Sequence, residues 1–281
     1  MRVIHHVIIA TLFLTNLFGV IPNKKTHQDD DLVNTSNQFA NSRVVTSSSY
    51  FNGNEWYARV VNDGQWATDA LAGGAGGLWP RGSNNSVLWD AGLWIGFRDD
   101  QDEVHFSGVQ WSSDFTPGPY GVTDSDNENY RVYKVNRWDD ATVSDWSDWP
   151  VDMGAPWQDN NSDGTYDPAV DQPYLPLDQT LYSVFNDSTD HPVFGTGING
   201  IEVHQTIFGG VSAAHDDLSR TFYVKYEIIN KGSLNWHNAR FGPWSDVDLG
   251  DSSNDAIGVD VDSNMVYCYS AEAGADADVF G

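Results

Sequence analysis

The sequence has a single cysteine, Cys268, in 281 residues. That excludes an intramolecular disulfide and any cysteine-built zinc site, and no cysteine lies near the N-terminus to carry a lipid. Glutamate is almost as scarce: only six of the 40 acidic residues are glutamate. The acid is therefore mostly aspartate, a residue of turns, caps and metal loops rather than helix interiors, which argues against a helical protein. Basic residues number 14, for a formal net charge of -26. Long-range repulsion at that charge disfavours nucleic acid and anionic membrane surfaces, leaving cations, neutral glycans and basic proteins as partners. No apolar run is long enough for a comfortable membrane span. Residues 7–20 are interrupted by Thr11, Thr15 and Asn16 and fall short of the ~20 residues a spanning helix needs. Preceded by Arg2, this stretch reads as an export signal over residues 1–22, with an N-terminal anchor as the alternative. Neither a Gly-x-Ser-x-Gly elbow nor a His-Glu-x-x-His zinc helix occurs, and no reaction is indicated.

What remains is 40% hydrophobic and rich in aromatics, enough to bury a large core. Residues 23–49 are polar and read as a linker. From Tyr50 onward, candidate strands recur at 56–61, 86–97, 104–111, 130–137, 180–185, 201–208, 220–230 and 264–270. The clearest sets Phe222, Val224, Tyr226 and Ile228 against Tyr223, Lys225 and Glu227, the period-two pattern of a half-buried strand. Only residues 139–146 hint at a short helix. A mainly β fold is expected, an antiparallel β-sandwich-like domain with long loops over residues 50–281.

The run from Asp159 to Asp167 carries oxygen side chains at loop positions one, three, five and nine and glycine at six: Asp159, Asn161, Asp163, Asp167 and Gly164. This is calcium-loop spacing. Alternate Asp and Asn oxygens let a short backbone curl around one hard cation, and glycine allows the sharp turn. An EF-hand has a bidentate glutamate at position twelve; here that position is Val170 and the next carboxylate is Asp171. Pro156, Pro168 and Pro173 also argue against flanking helices. The expected ligand set is Asp159, Asn161, Asp163, Asp167 and Asp171, with the Thr165 carbonyl. The plain alternative is a solvated turn rich in Asp and Asn. Bound calcium would offset the self-repulsion of so acidic a chain.

A second, weaker cluster comprises Asp246, Asp248, Asp251 and Asp255. It is read either as another calcium site or as a turn beside an exposed strand face. Asp99, Asp100, Asp102 and Glu103 are read as a solvated hairpin tip. His105, His191, His204, His215 and His237 are read as surface or packing residues. Gly195, Gly197 and Gly200 match the dinucleotide fingerprint in form only, because a strand-like segment follows instead of a helix; a hairpin turn is the better reading. Glycines 73, 74, 76 and 77 lack the Lys-Ser/Thr ending of a phosphate loop and read as a mobile turn. Twelve tryptophans are read first as core and loop-pinning residues, and alternatively as sugar-stacking faces.

Several segments taken together resemble a known group. They are Trp79-Pro-Arg-Gly-Ser-Asn-Asn85, Ala91-Gly-Leu-Trp-Ile-Gly96, Trp149-Pro-Val-Asp-Met-Gly-Ala-Pro-Trp157, Asp178-Gln-Thr-Leu181, Lys225-Tyr-Glu-Ile-Ile-Asn-Lys-Gly232 and Asp246-Val-Asp-Leu-Gly-Asp251. Over residues 50–262 the chain resembles large secreted proteins of Bacteroidota and related bacteria. The resemblance implies export by the type IX system and brings no biochemical activity. With no sorting domain in this sequence, further domains of a longer chain are expected. The functional expectation is a secreted or cell-surface, calcium-stabilised, adhesive or structural module that is not an enzyme, with glycans or other surface proteins as partners. The alternative is a carbohydrate-binding module or part of a glycan-degrading enzyme using exposed tryptophans.

Overall fold

The computed structural model describes residues 3–4, 47–69, 74–122, 124–189, 191–250 and 252–272. The fold is mainly β, in antiparallel sheets with little helix. In chain order the principal strands are β1 (Ser48–Phe51), β2 (Tyr57–Val61), β3 (Gly77–Leu78), β4 (Ser86–Arg98), β5 (Val104–Gly108), β6 (Thr116–Pro117), β7 (Tyr133–Asn136), β8 (Gln179–Asn186), β9 (Ile201–Gly209), β10 (Phe222–Asn230), β11 (His237–Val247), β12 (Asp255–Asp260) and β13 (Met265–Ser270). One sheet runs β10-β9-β8-β7, with β6 beside the far end of β8 and Val3–Ile4 beside β10. The other runs β11-β4-β3-β2-β1, with β5 along the second half of β4. The expected export signal and linker otherwise lie outside the described residues, and β1 begins before the expected boundary at residue 50.

The two sheets enclose one core. Phe222, Val224, Tyr226 and Ile228 point into it, as their alternation predicts, and meet Trp56, Trp66, Leu88, Leu93 and Ile95. Cross-strand register aligns Leu181 with Ile207 and Val224, and Phe185 with Val203 and Ile228. These rows are the apolar inner face of the first sheet. Its outer face is also covered. Trp146, Trp149 and Ala155 pack on Tyr133, Val135, Tyr182 and Val184 to form a second, smaller core. An excursion over residues 139–175 is thereby fastened to the back of the sandwich.

Two expectations are corrected. Glycines 74, 76 and 77 are not a mobile turn: Gly74–Ala75 and Gly77–Leu78 are strands, and a Cβ on Gly77 would lie 2.7 Å from that of Leu88. Close packing, not flexibility, is what requires glycine there. Gly73 lies outside the described residues. The helix expected over residues 139–146 is a single turn, Ser144–Ser147. The long strand β11 has no counterpart among the expected strands, whereas β12 is the exposed strand beside the second acidic cluster.

Candidate metal centre

A two-residue antiparallel pair, Trp157–Gln158 with Gln172–Pro173, forms a neck from which residues 159–171 project. Two tryptophans hold the base. The Trp149 indole donates to the Pro156 carbonyl at 2.9 Å and the Trp146 indole to the Pro168 carbonyl at 3.1 Å, while the Tyr166 hydroxyl donates to the Trp146 carbonyl at 2.7 Å. Pro156 and Pro168, which argue against flanking helices, thus supply the carbonyls that anchor the loop.

Within the loop, two carboxylates gather the backbone. Asp159 Oδ1 accepts the Ser162 and Asp163 N–H groups at 2.6 and 3.3 Å, and Oδ2 accepts Gly164 N–H at 2.9 Å. Asp171, only 1% exposed, takes Asn160 N–H at 2.9 Å on one oxygen and Asp167 N–H at 2.8 Å on the other, tying the loop's two ends together. Ser162 and Gly164 have φ of 61° and 77°, so the chain turns sharply at position six. Asp163 accepts Thr165 N–H at 2.8 Å and the Asn161 amide at 2.8 Å, and the Asn161 carbonyl accepts Asp163 N–H at 3.1 Å. Asp167 accepts Ala169 N–H at 2.9 Å. The donor set is all oxygen, which suits a hard cation of calcium's size. A carboxylate oxygen has two lone-pair directions; Asp159 Oδ1 uses both on N–H groups, whereas Asp159 Oδ2 and the bonded oxygens of Asp163, Asp167 and Asp171 each keep one for an ion. No three loop carboxylates approach one another within 4.8 Å, and an ion here would rely on the Asn161 and Thr165 oxygens as well.

In the second cluster, the Asp246 carboxylate accepts the Trp111 indole N–H at 2.7 Å and the Asp255 carboxylate accepts Leu249 N–H at 3.1 Å. Burial, then the negative charges of Asp246 and Asp255, push Asp248 up to about 6. Those three acids are neighbours; Asp251 lies outside the described residues.

The hairpin tip at 99–103 needs a correction. Asp99 is not solvated but 7% exposed, with one oxygen accepting Gln101 and Glu103 N–H at 2.9 Å each and the other 3.0 Å from His105 Nε2. Among the described residues, Asp99, Glu103 and His105 are the one group of three histidine, cysteine or acidic side chains whose ligand atoms all lie within 4.8 Å of one another. A sequence signal existed. Glu103 and His105, two apart where β5 begins, share one strand face. The third member depends on hairpin register, which pairs Phe97 with His105 and leaves Asp99 alongside.

All twelve tryptophans are described, and only Trp111 and Trp138 are well exposed, at 63% and 76%. Trp111 is fixed in place: its φ is 54°, its N–H donates to Asp90 at 2.9 Å, its indole to Asp246, and the Trp244 ring packs edge-on at 5.7 Å.

Comparison with protein-family models, curated proteins and solved structures finds no match to this chain.

Proposed function

We propose that the chain is a secreted or cell-surface β-rich module whose back-face excursion is stabilised by calcium, and that it serves adhesion or architecture rather than catalysis. One observation carries this reading: the Asp159 and Asp171 carboxylates fold residues 159–171 into a closed loop, with oxygen donors at calcium-loop spacing along it. When bound, calcium would neutralise part of a concentrated negative charge and hold the loop's side-chain oxygens in one arrangement. The loop also forms one wall of a shallow groove of about 580 Å³, where Pro168, Val170 and Asp171 face Arg137, Thr142 and Trp146. Calcium bound in the loop would therefore set the shape of a surface available to a partner. The acidic character and the resemblance to exported Bacteroidota proteins agree with a calcium-rich extracellular setting.

Thermal unfolding with calcium and with a chelator tests the reading. At 100 times the dissociation constant, linkage gives ~2.7 kcal/mol of stabilisation, or roughly 5–11 °C in Tm for a domain of this size. Asp163→Ala is expected to remove the calcium dependence while leaving the calcium-free Tm nearly unchanged. An identical wild-type Tm in calcium and chelator rejects the proposal.

A second reading, glycan binding, is favoured by one feature. Trp111 is an exposed indole held rigid by three contacts, so little entropy would be lost on stacking against a sugar ring. Trp111→Ala is expected to abolish any signal the wild-type protein gives on a glycan array. A wild-type blank, or a signal that survives the substitution, removes this reading.

A further inference from the structure

The β4–β5 hairpin tip holds a histidine whose proton arrangement can be traced through its neighbours. Ser107 donates its hydroxyl to the buried Asp187 carboxylate at 3.2 Å, so its oxygen is left to accept. The Asn199 amide nitrogen donates to that oxygen at 2.8 Å and to the Phe106 carbonyl at 3.2 Å. The Asn199 carbonyl oxygen is therefore the atom turned to His105 Nδ1, at 2.9 Å. A carbonyl only accepts, so Nδ1 carries the proton. In the neutral ring Nε2 is then a bare lone pair, and it faces Asp99 Oδ2 at 3.0 Å. The ring cannot turn away easily: it stacks on Phe97 with centroids 5.0 Å apart, and Phe97 stacks in turn on Trp236 at 4.9 Å.

Two electron-rich atoms at contact distance require a cation shared between them, either a proton or a metal ion. Glu103 favours the second case. A proton is satisfied by Nε2 and Asp99 alone, whereas a third ligand atom within 4.8 Å of both is what a metal ion uses. We propose that Asp99, Glu103 and His105 form a transition-metal centre of the zinc class, separate from the calcium loop. One imidazole nitrogen with two carboxylate oxygens suits zinc better than calcium, which takes oxygen ligands only. A histidine whose second ring N–H is held by a carbonyl is the usual outer-shell arrangement at such sites. Glu103 lies at the surface, so a fourth position faces solvent and is open to water or a small ligand.

Zinc alone, titrated calorimetrically into the whole chain in calcium-saturated buffer, provides the test. The expected result is one tight zinc per chain, lost in His105→Gln and weakened by more than about tenfold in Glu103→Gln, since removing a ligand should exceed the loss caused by removing its outer-shell support. Zinc-edge anomalous scattering from soaked crystals should place the ion on His105 Nε2. Glu103 is exposed, so its variant keeps the experiment decisive if the His105 variant does not fold. Absence of tight binding, wild-type affinity in Glu103→Gln, or an anomalous peak elsewhere would overturn the assignment and leave a proton as the shared cation.

Discussion

Gly154 and Gly164 have almost the same backbone, φ of 87° and 77°, but different surroundings. A Cβ on Gly164 would meet nothing within 4 Å, whereas one on Gly154 would run into the His204 ring on the outer face of the first sheet. Left-handed backbone costs a non-glycine residue about 1–2 kcal/mol, and forcing a methyl into a filled space adds about 1–3 kcal/mol. In chelator, Gly164→Ala is therefore expected to cost only the backbone strain, and Gly154→Ala to cost the strain plus the clash. Denaturant titration of the two variants reads the difference. Equal costs would mean that the excursion does not rest on His204 as described.

At the scale of elements, β8 shows where alternation fails as a guide. All eight of its residues are buried because the sandwich core covers one face and residues 143–175 the other. β10 was legible because Tyr223, Lys225 and Glu227 stay at the surface side while their neighbours enter the core. β11 was not. Gly242 and Pro243 break its pattern, and among the described residues it pairs with β4 only, the edge position in which a proline's missing N–H is tolerated. The same division holds for the candidate sites. The 159–171 loop could be read because its ligands are local and evenly spaced, whereas the Asp99, Glu103 and His105 group depends on hairpin register and on Asn199, 94 residues away from His105. Long-range placement of that kind leaves no periodic trace in a single sequence.

For the whole molecule, the acidic groups inside the sandwich set an unusual pH dependence. Burial, reinforced by the Asp63 charge, pushes Asp90 from 3.8 to about 7 against the hydrogen bonds it accepts from Gln65, Ala91 and Trp111. Burial likewise raises Asp63 to about 6. Below about pH 4 these groups are protonated in both states and cost nothing. Between pH 4 and 7 the unfolded chain releases the protons while the folded chain retains them, so stability falls as pH rises through that window. At about 1.4 kcal/mol per unit, the loss from Asp90 alone is on the order of 4 kcal/mol. Glu202 acts in the opposite sense but at lower pH. Burial works against its ionisation, yet His204, the Tyr120 N–H and Lys231 outweigh it and hold it at about 2, so its contribution disappears only as pH drops below about 4. The chain is therefore expected to melt higher at pH 4.5 than at pH 7.5 in chelator, by roughly 10 °C on the usual size scaling. Surface repulsion from a net charge of -26 would act in the same direction, but 1 M salt shortens its range to about 3 Å and leaves buried groups largely unscreened. Melting at the two pH values in 1 M salt therefore removes most of the surface contribution. A Tm that rises from pH 4.5 to 7.5 under those conditions would show that Asp63 and Asp90 are ionised at no cost in the fold.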